Sequence, residues 1–177
     1  MTKSDGQKRK CFAYVAAFVV FQTIIIVVFA LTVMRIKSPK LRFGTVEVEN
    51  FSTANANSVS MRLNAQVTVK NTNFGHFKYP NSTATILYGG VAVGEAFIPS
   101  GRAKARQTKR FNITVDITSS QISSNDVNSG VLTLTSEAKL NGKVHLMKVI
   151  KKKKSAEMSC NMAVNLATRA VQNLTCK

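Results

Sequence analysis

The hydrophobic pattern of the chain changes period once. Residues 11–34, "CFAYVAAFVVFQTIIIVVFALTVM", are almost continuously apolar and carry no charge. A helix of about 20 apolar residues crosses the hydrocarbon core of a bilayer, so the stretch predicts one membrane-spanning helix. A cleaved signal peptide is the rival reading, but its apolar core runs only about 7–15 residues and ends at a small-residue cleavage site. Here the run is longer and Arg35, Ile36 and Lys37 follow it, which favours an uncleaved signal-anchor. The expected layout is a short basic cytoplasmic tail over 1–10, the span over 11–34, a juxtamembrane linker over 35–44 and a folded domain over 45–177.

Beyond the span the period is two. In "MRLNAQVTVKN" (61–71), Met61, Leu63, Ala65, Val67 and Val69 alternate with polar residues, the mark of a half-buried strand with one wet face. "RFNITVDIT" (110–118), "VLTLTSEAKL" (131–140) and "MSCNMAVNL" (158–166) repeat it, and "TVEVENF" (45–51) is a shorter candidate. "ATILYGGVAVGEAFIP" (84–99) reads as a hairpin turning at Gly89-Gly90, where positive φ is tolerated. "SGRAKARQ" (100–107) reads as a basic loop, and "SSQISSNDVNSG" (119–130) as turn-rich with room for one short helix. "NGK" (141–143) predicts a hairpin turn leading into "KVHLMKVI" (143–150). Roughly seven short strands with frequent turns imply an all-β antiparallel sandwich or barrel.

Charge adds a surface to this picture. The chain carries a formal +17. Lys3, Lys8, Arg9 and Lys10 precede the span, and Arg35, Lys37, Lys40 and Arg42 follow it, so the positive-inside rule leaves the orientation open. Cysteines and sequons add to the case. Cys160 and Cys176 bracket the last segment and could pair, as disulfides do in oxidising compartments; two buried free thiols are the alternative. Asn-x-Ser/Thr occurs at Asn50, Asn81, Asn112 and Asn173. Asn112 alternates with Phe111, Ile113 and Val115, so it is expected on an outer strand face where a glycan fits. Together these place the domain outside the cytosol. Cys11, at the inner boundary, is either a palmitoylation site or a plain thiol.

The chemistry-bearing residues do not form a catalytic pattern. His76 and His145 read as structural or solvent-exposed, no CxxC or His/Cys cluster has metal-ligand spacing, and no phosphate-binding glycine loop occurs. The expectation is a non-enzymatic protein without cofactor or metal. The basic residues remain, clustered at 35–42, 102–110 and 148–154. Arg102, Lys104, Arg106, Lys151, Lys152, Lys153 and Lys154 are the candidates for a polyanion-facing surface, against the plainer reading of a solvated face. Nucleic acid is not an expected partner of such a domain. Anionic cell-wall polysaccharide suits it outside the cell, anionic lipid headgroups suit it inside, and other membrane proteins are further candidates. The lysine run also fits a hairpin edge, where exposed lysines block edge-to-edge association.

The stretch "LNAQVTVKNTNFGHFKYPNSTATILYGGVAVGEAFIPSGRAKARQTKRFNITVDI" (63–117) resembles the second-group late embryogenesis abundant domain, also called the water-stress and hypersensitive-response domain. The matching residues are Asn71 and Asn73, Tyr79, Asn81-Ser82, Tyr88-Gly89-Gly90, Gly94, Pro99 and Thr108. Thr72 stands where the family has proline. The layout over 8–177 is similar to that of plant harpin-induced and disease-resistance-like membrane proteins, with a basic tail, one span, this domain and a closing cysteine pair. The resemblance implies an immunoglobulin- or fibronectin-III-like β-sandwich, a plasma-membrane location and a stress or defence role. It supplies no catalytic motif. Two functions follow as expectations. One is a membrane-anchored stress-response protein with an extracytosolic binding domain. The other is a lipid-binding or membrane-contact module docking on anionic lipids.

Overall fold

The computed structural model describes residues 3–55, 58–119, 122–146 and 150–176. The chain forms two compact units, Met1–Ile36 and Lys37–Lys177. In the first, helix α1 (Lys3–Val33) contains the apolar stretch Lys10–Thr32, 23 residues with a mean hydropathy of 2.6. At about 1.5 Å per residue it is longer than the ~30 Å hydrocarbon core. It is one helix long and apolar enough to cross a membrane. Its polar side chains fold back: Thr23 and Thr32 donate to Val19 O and Val28 O one turn earlier, so neither hydroxyl presents an unmet donor to lipid.

The second unit is antiparallel β. Its strands are β1 (Lys40–Asn55), β2 (Ser58–Lys70), β3 (His76–Tyr79), β4 (Ser82–Tyr88), β5 (Val91–Ile98), β6 (Gly101–Ala103), β7 (Thr108–Ser119), β8 (Val131–Leu146), β9 (Ile150–Asn165) and β10 (Ala170–Cys176). A short helix α2 (Ser124–Ser129) precedes β8, capped by the Ser123 side chain and ended by Gly130 at φ 73°. The ladder runs β4-β5-β7-β2-β1-β10-β9-β8-β3-β6, and a further β4–β8 pairing returns it on itself. The all-β antiparallel expectation therefore holds, as a continuous sheet closing into a barrel-like arrangement. The hydrogen bonding does not divide it into the two separate sheets of the expected sandwich.

Closure depends on the length of β8. Its first half pairs with β4, Ala84 opposite Ala138, and its second half pairs with β3, Phe77 opposite Val144. Inward positions recur every second residue. They are Val59 to Val69 on β2, Ile113, Val115 and Ile117 on β7, Leu132 to Leu146 on β8, and Ala156 to Val164 on β9, and nearly all are buried. Burying these apolar faces is the principal stabilising term, at about 25 cal/mol per Å² of apolar surface removed from water.

Four expectations need correction. The Asn141-Gly142-Lys143 turn is absent: β8 runs straight through it, with Asn141 opposite Ser155 and Gly142 opposite Lys154. Gly142 falls at an inward position where the Phe77 ring packs, and a Cβ there would lie 2.5 Å from Phe77 Cε2. Glycine in a strand can mark such a close approach rather than a turn. The expected strand over 143–150 is in fact the end of β8 and the start of β9, with 147–149 outside the described residues. The loop expected over 100–107 contains β6, and β1 begins at Lys40, inside the expected linker. The Gly89-Gly90 turn is as expected, with φ of 56° and 84°.

Candidate functional site

The site begins with a buried amide. Asn71, 1% exposed, follows the end of β2. Its Nδ2 donates to Gly75 O at 2.8 Å, Lys104 O at 3.0 Å and Ala103 O at 3.2 Å, and its Oδ1 accepts from Asn73 N and Nδ2. Asn73 in turn clasps the backbone of Lys37: its Oδ1 accepts from Lys37 N at 2.6 Å and its Nδ2 donates to Lys37 O at 2.7 Å. The Asn71-Thr72-Asn73 stretch, singled out by the family resemblance, thus ties together the end of β2, the loop after β6 and the first residue of the unit. Thr72, between them, is half-buried.

The same knot sets β3 against β8. Gly75 lies so close that a Cβ there would fall 2.2 Å from His145 O. The chain enters β3 directly after it, and His76 pairs with His145. Their rings stack with centroids 5.0 Å apart and planes within 11°.

From this register a row of cations follows. Arg102 on β6 is opposite Lys78 on β3, Lys78 opposite Lys143 on β8, and Lys143 opposite Lys153 on β9. All four are exposed. They stand on the outer face, because their neighbours Ala103, Phe77, Tyr79, Val144 and Ala156 define the buried one. Strands lie about 4.8 Å apart, so the row spans about 14 Å. A second row, His76–His145–Lys151, runs beside it. Like charges placed opposite one another across strands destabilise a sheet, so folding alone does not account for the arrangement. An open groove of about 810 Å³ lies along it, lined in part by Lys78, Lys143, His145, Lys153 and Lys154, and none of its lining residues is acidic.

The local potential shows in the histidines. Burial first, then Arg102, His145 and Lys78, hold His76 below the ordinary imidazole range. Burial first, then Lys78, Lys151, Lys143 and Arg102, do the same to His145. Two carboxylates of the outer surface are paired away from the rows. Asp116 pairs with Arg62 at 2.6 Å and Glu157 with Lys139 at 2.7 Å.

The expected basic residues are therefore split. Arg102, Lys151 and Lys153 share the outer face. Strand alternation turns Lys152 and Lys154 the other way, though Lys154 still borders the groove. Lys104 lies past the end of β6 and contributes its carbonyl to Asn71. Arg106 leaves the row to sit over the Phe74 ring, 4.2 Å from its centroid. Lys78, Lys143, His76 and His145 complete the rows and were not among the sequence candidates. Only the strand register brings them in.

The remaining candidates are placed as follows. Cys160 and Cys176 form a disulfide between β9 and β10. Cys11 is a free, exposed thiol. Asn50, Asn81, Asn112 and Asn173 are all exposed, Asn81 Oδ1 accepting from Ser100 N at 2.8 Å. Among the described residues no group of three or more His, Cys, Asp or Glu is arranged to hold a metal ion.

Comparison with known proteins adds the following. The family profile described as late embryogenesis abundant protein matches residues 66–162. A late embryogenesis abundant protein of Arabidopsis thaliana is 31% identical over 195 aligned positions, covering 99% of this chain and 86% of the relative. Among solved structures, one from Arabidopsis thaliana matches with 18% identity and a TM-score of 0.43, over 71% of this chain and 82% of its own. A protein of Archaeoglobus fulgidus matches with 9% identity and a TM-score of 0.36, over 68% of this chain and 95% of its own.

Proposed function

The chain belongs to the late embryogenesis abundant family, and on that premise we propose that it is a non-enzymatic, single-pass protein of the plasma membrane. Its folded domain lies outside the cytosol and binds anionic polymer through the outer face of β3, β6, β8 and β9 during stress or defence responses. The Cys160–Cys176 disulfide and four exposed sequons support the extracytosolic placement. One observation carries the binding role: the in-register row Arg102–Lys78–Lys143–Lys153, bordered by a groove without acidic lining. A row of opposed like charges costs folding stability, and an anion laid across it removes that cost.

The test uses the full chain in zwitterionic nanodiscs and a column of immobilised polygalacturonate. K78Q/K143Q/K153Q is expected to weaken retention at least tenfold and to flatten its salt dependence, since each lost contact releases fewer counterions. K40Q/K70Q/R110Q removes the same charge from β1, β2 and β7 and is expected to change retention little. Equal losses in the two variants would reduce the effect to net charge and remove the site.

A further inference from the structure

The stacked pair His76–His145 lies within the cationic face rather than beside it, and this adds a property that fixed charges lack. We infer that the face is a groove for a linear polyuronate, held more tightly as the His76–His145 pair takes up protons. The inference rests on the anion-binding reading of the same face and specifies both its ligand and its control.

Shape selects the ligand. The cations stand in straight rows across the strands, beside an open groove. A chain can lie in a groove, whereas a flat bilayer surface meets only its rims. The charges come one per strand step of about 4.8 Å, and three of the four in the first row are lysines, which act as point charges rather than as bidentate forks. A chain of linked sugar acids supplies a regular series of single carboxylates to meet them, one on each ring.

The charges around the pair select the control. Burial opposes protonation of the pair first, and Lys78 of β3, Arg102 of β6, Lys143 of β8 and Lys151 of β9, all cationic, add to that opposition. A row of carboxylates laid over the cations offsets their part of that opposition, so binding draws protons onto the rings. By linkage, affinity then rises as pH falls. The chain has only two histidines, and uronate carboxyls stay ionised above about pH 5. A change in affinity between pH 7.5 and 5.5 therefore reports this pair.

The experiment measures binding of oligogalacturonate to the full chain in zwitterionic nanodiscs at pH 7.5 and 5.5, at fixed salt. Roughly tenfold tighter binding at pH 5.5 is expected, that being the factor for an average uptake of about half a proton over the two pH units. In H76Q/H145Q the ratio between the two pH values is expected to collapse to about one, whatever the absolute affinity. Calorimetry in two buffers of different ionisation enthalpy, on the unmodified chain, is expected to show net proton uptake, which keeps the test independent of how the variant folds. Salt-sensitive binding that is flat in pH, with no proton uptake, overturns this inference and leaves the polyanion-binding function standing. No binding at either pH in low salt removes both. Tighter binding to phosphatidylserine vesicles than to oligogalacturonate, lost in K78Q/K143Q, assigns the face to lipid and overturns the ligand named here.

Discussion

Asn71 joins separate parts of the domain through one buried side chain. Its amide meets three backbone carbonyls, of Gly75 and of the adjacent Ala103 and Lys104, and its oxygen meets Asn73. Removing it takes that donor from Gly75 O and Ala103 O, while Lys104 O keeps its bond from Gln107 N at 3.3 Å, at about 1–3 kcal/mol for each group left unsatisfied. N71A is expected to lower unfolding stability by about 2–4 kcal/mol, read from the denaturant midpoint. N71D is expected to be worse, because a carboxylate cannot donate to the carbonyls it would face. Gly142 is a second sensitive position. G142A would press a methyl against Phe77 and Lys78 O, and overpacking of this kind typically costs about 1–3 kcal/mol. Since Lys78 belongs to the cationic row, the same variant is expected to weaken retention on polygalacturonate. The two residues differ in legibility. The Asn71-Thr72-Asn73 stretch was readable through the family resemblance, and its asparagines can bond back to the local backbone. Gly142 was not, because its reason is a ring from a strand 65 positions earlier. A local cue did exist: the inward alternation of Leu140, Val144 and Leu146 continues through it unbroken, which a two-residue turn would have interrupted.

At the scale of elements, strand length and strand pairing were unequally visible. The long strands β2, β7, β8 and β9 each have one apolar face, so period two revealed them. β3 and β6, of four and three residues, are too short for periodicity, and they owe their place to the Asn71 knot and to β8. β10 is hidden for another reason. Its ladder with β9 is irregular between Gln172 and Thr175, and Asn173 there has a φ of 52°, so no alternation survives in "AVQNLTC". The site shared this limit. The lysine run at 151–154 was obvious in the sequence, but its partners Lys78 and Lys143 were isolated lysines until the register set them side by side. The attachment of β10 leads to a prediction. It meets β1 in register at Glu47–Ala170 alone and otherwise depends on β9 and the Cys160–Cys176 bond. A disulfide closing a loop of this size is worth about 3 kcal/mol. C160S/C176S is expected to lose stability of that order, and to be cut by trypsin after Arg169 at least tenfold faster than the oxidised chain. Equal cutting rates would mean that backbone pairing alone holds β10.

At the scale of the whole molecule, the side of a membrane on which the domain lies determines what the cationic face meets. Lysines and arginines are balanced across the span, so charge next to the bilayer gives no direction. The proposed outward placement rests instead on the domain: a cystine of the kind that persists in oxidising compartments, and exposed asparagines in sequons on β1, β7 and β10 and between β3 and β4. The full chain expressed in plant cells is therefore expected to gain mobility on digestion with an N-glycan-removing enzyme. N112Q is expected to remove one glycan from that shift, since Asn112 projects outward from β7 opposite Gln66. Before reduction, Cys11 is expected to react with an alkylating reagent in detergent while Cys160 and Cys176 do not. A chain with no mobility shift and three reactive thiols would instead hold its domain in the cytosol. The rows through Lys78, Lys143 and Lys153 would then face anionic lipid headgroups, whose attraction for basic residues near the surface is about 1 kcal/mol each. The extracytosolic reading would fall with that result. The cross-strand rows would remain, because the register fixes them on either side of the membrane.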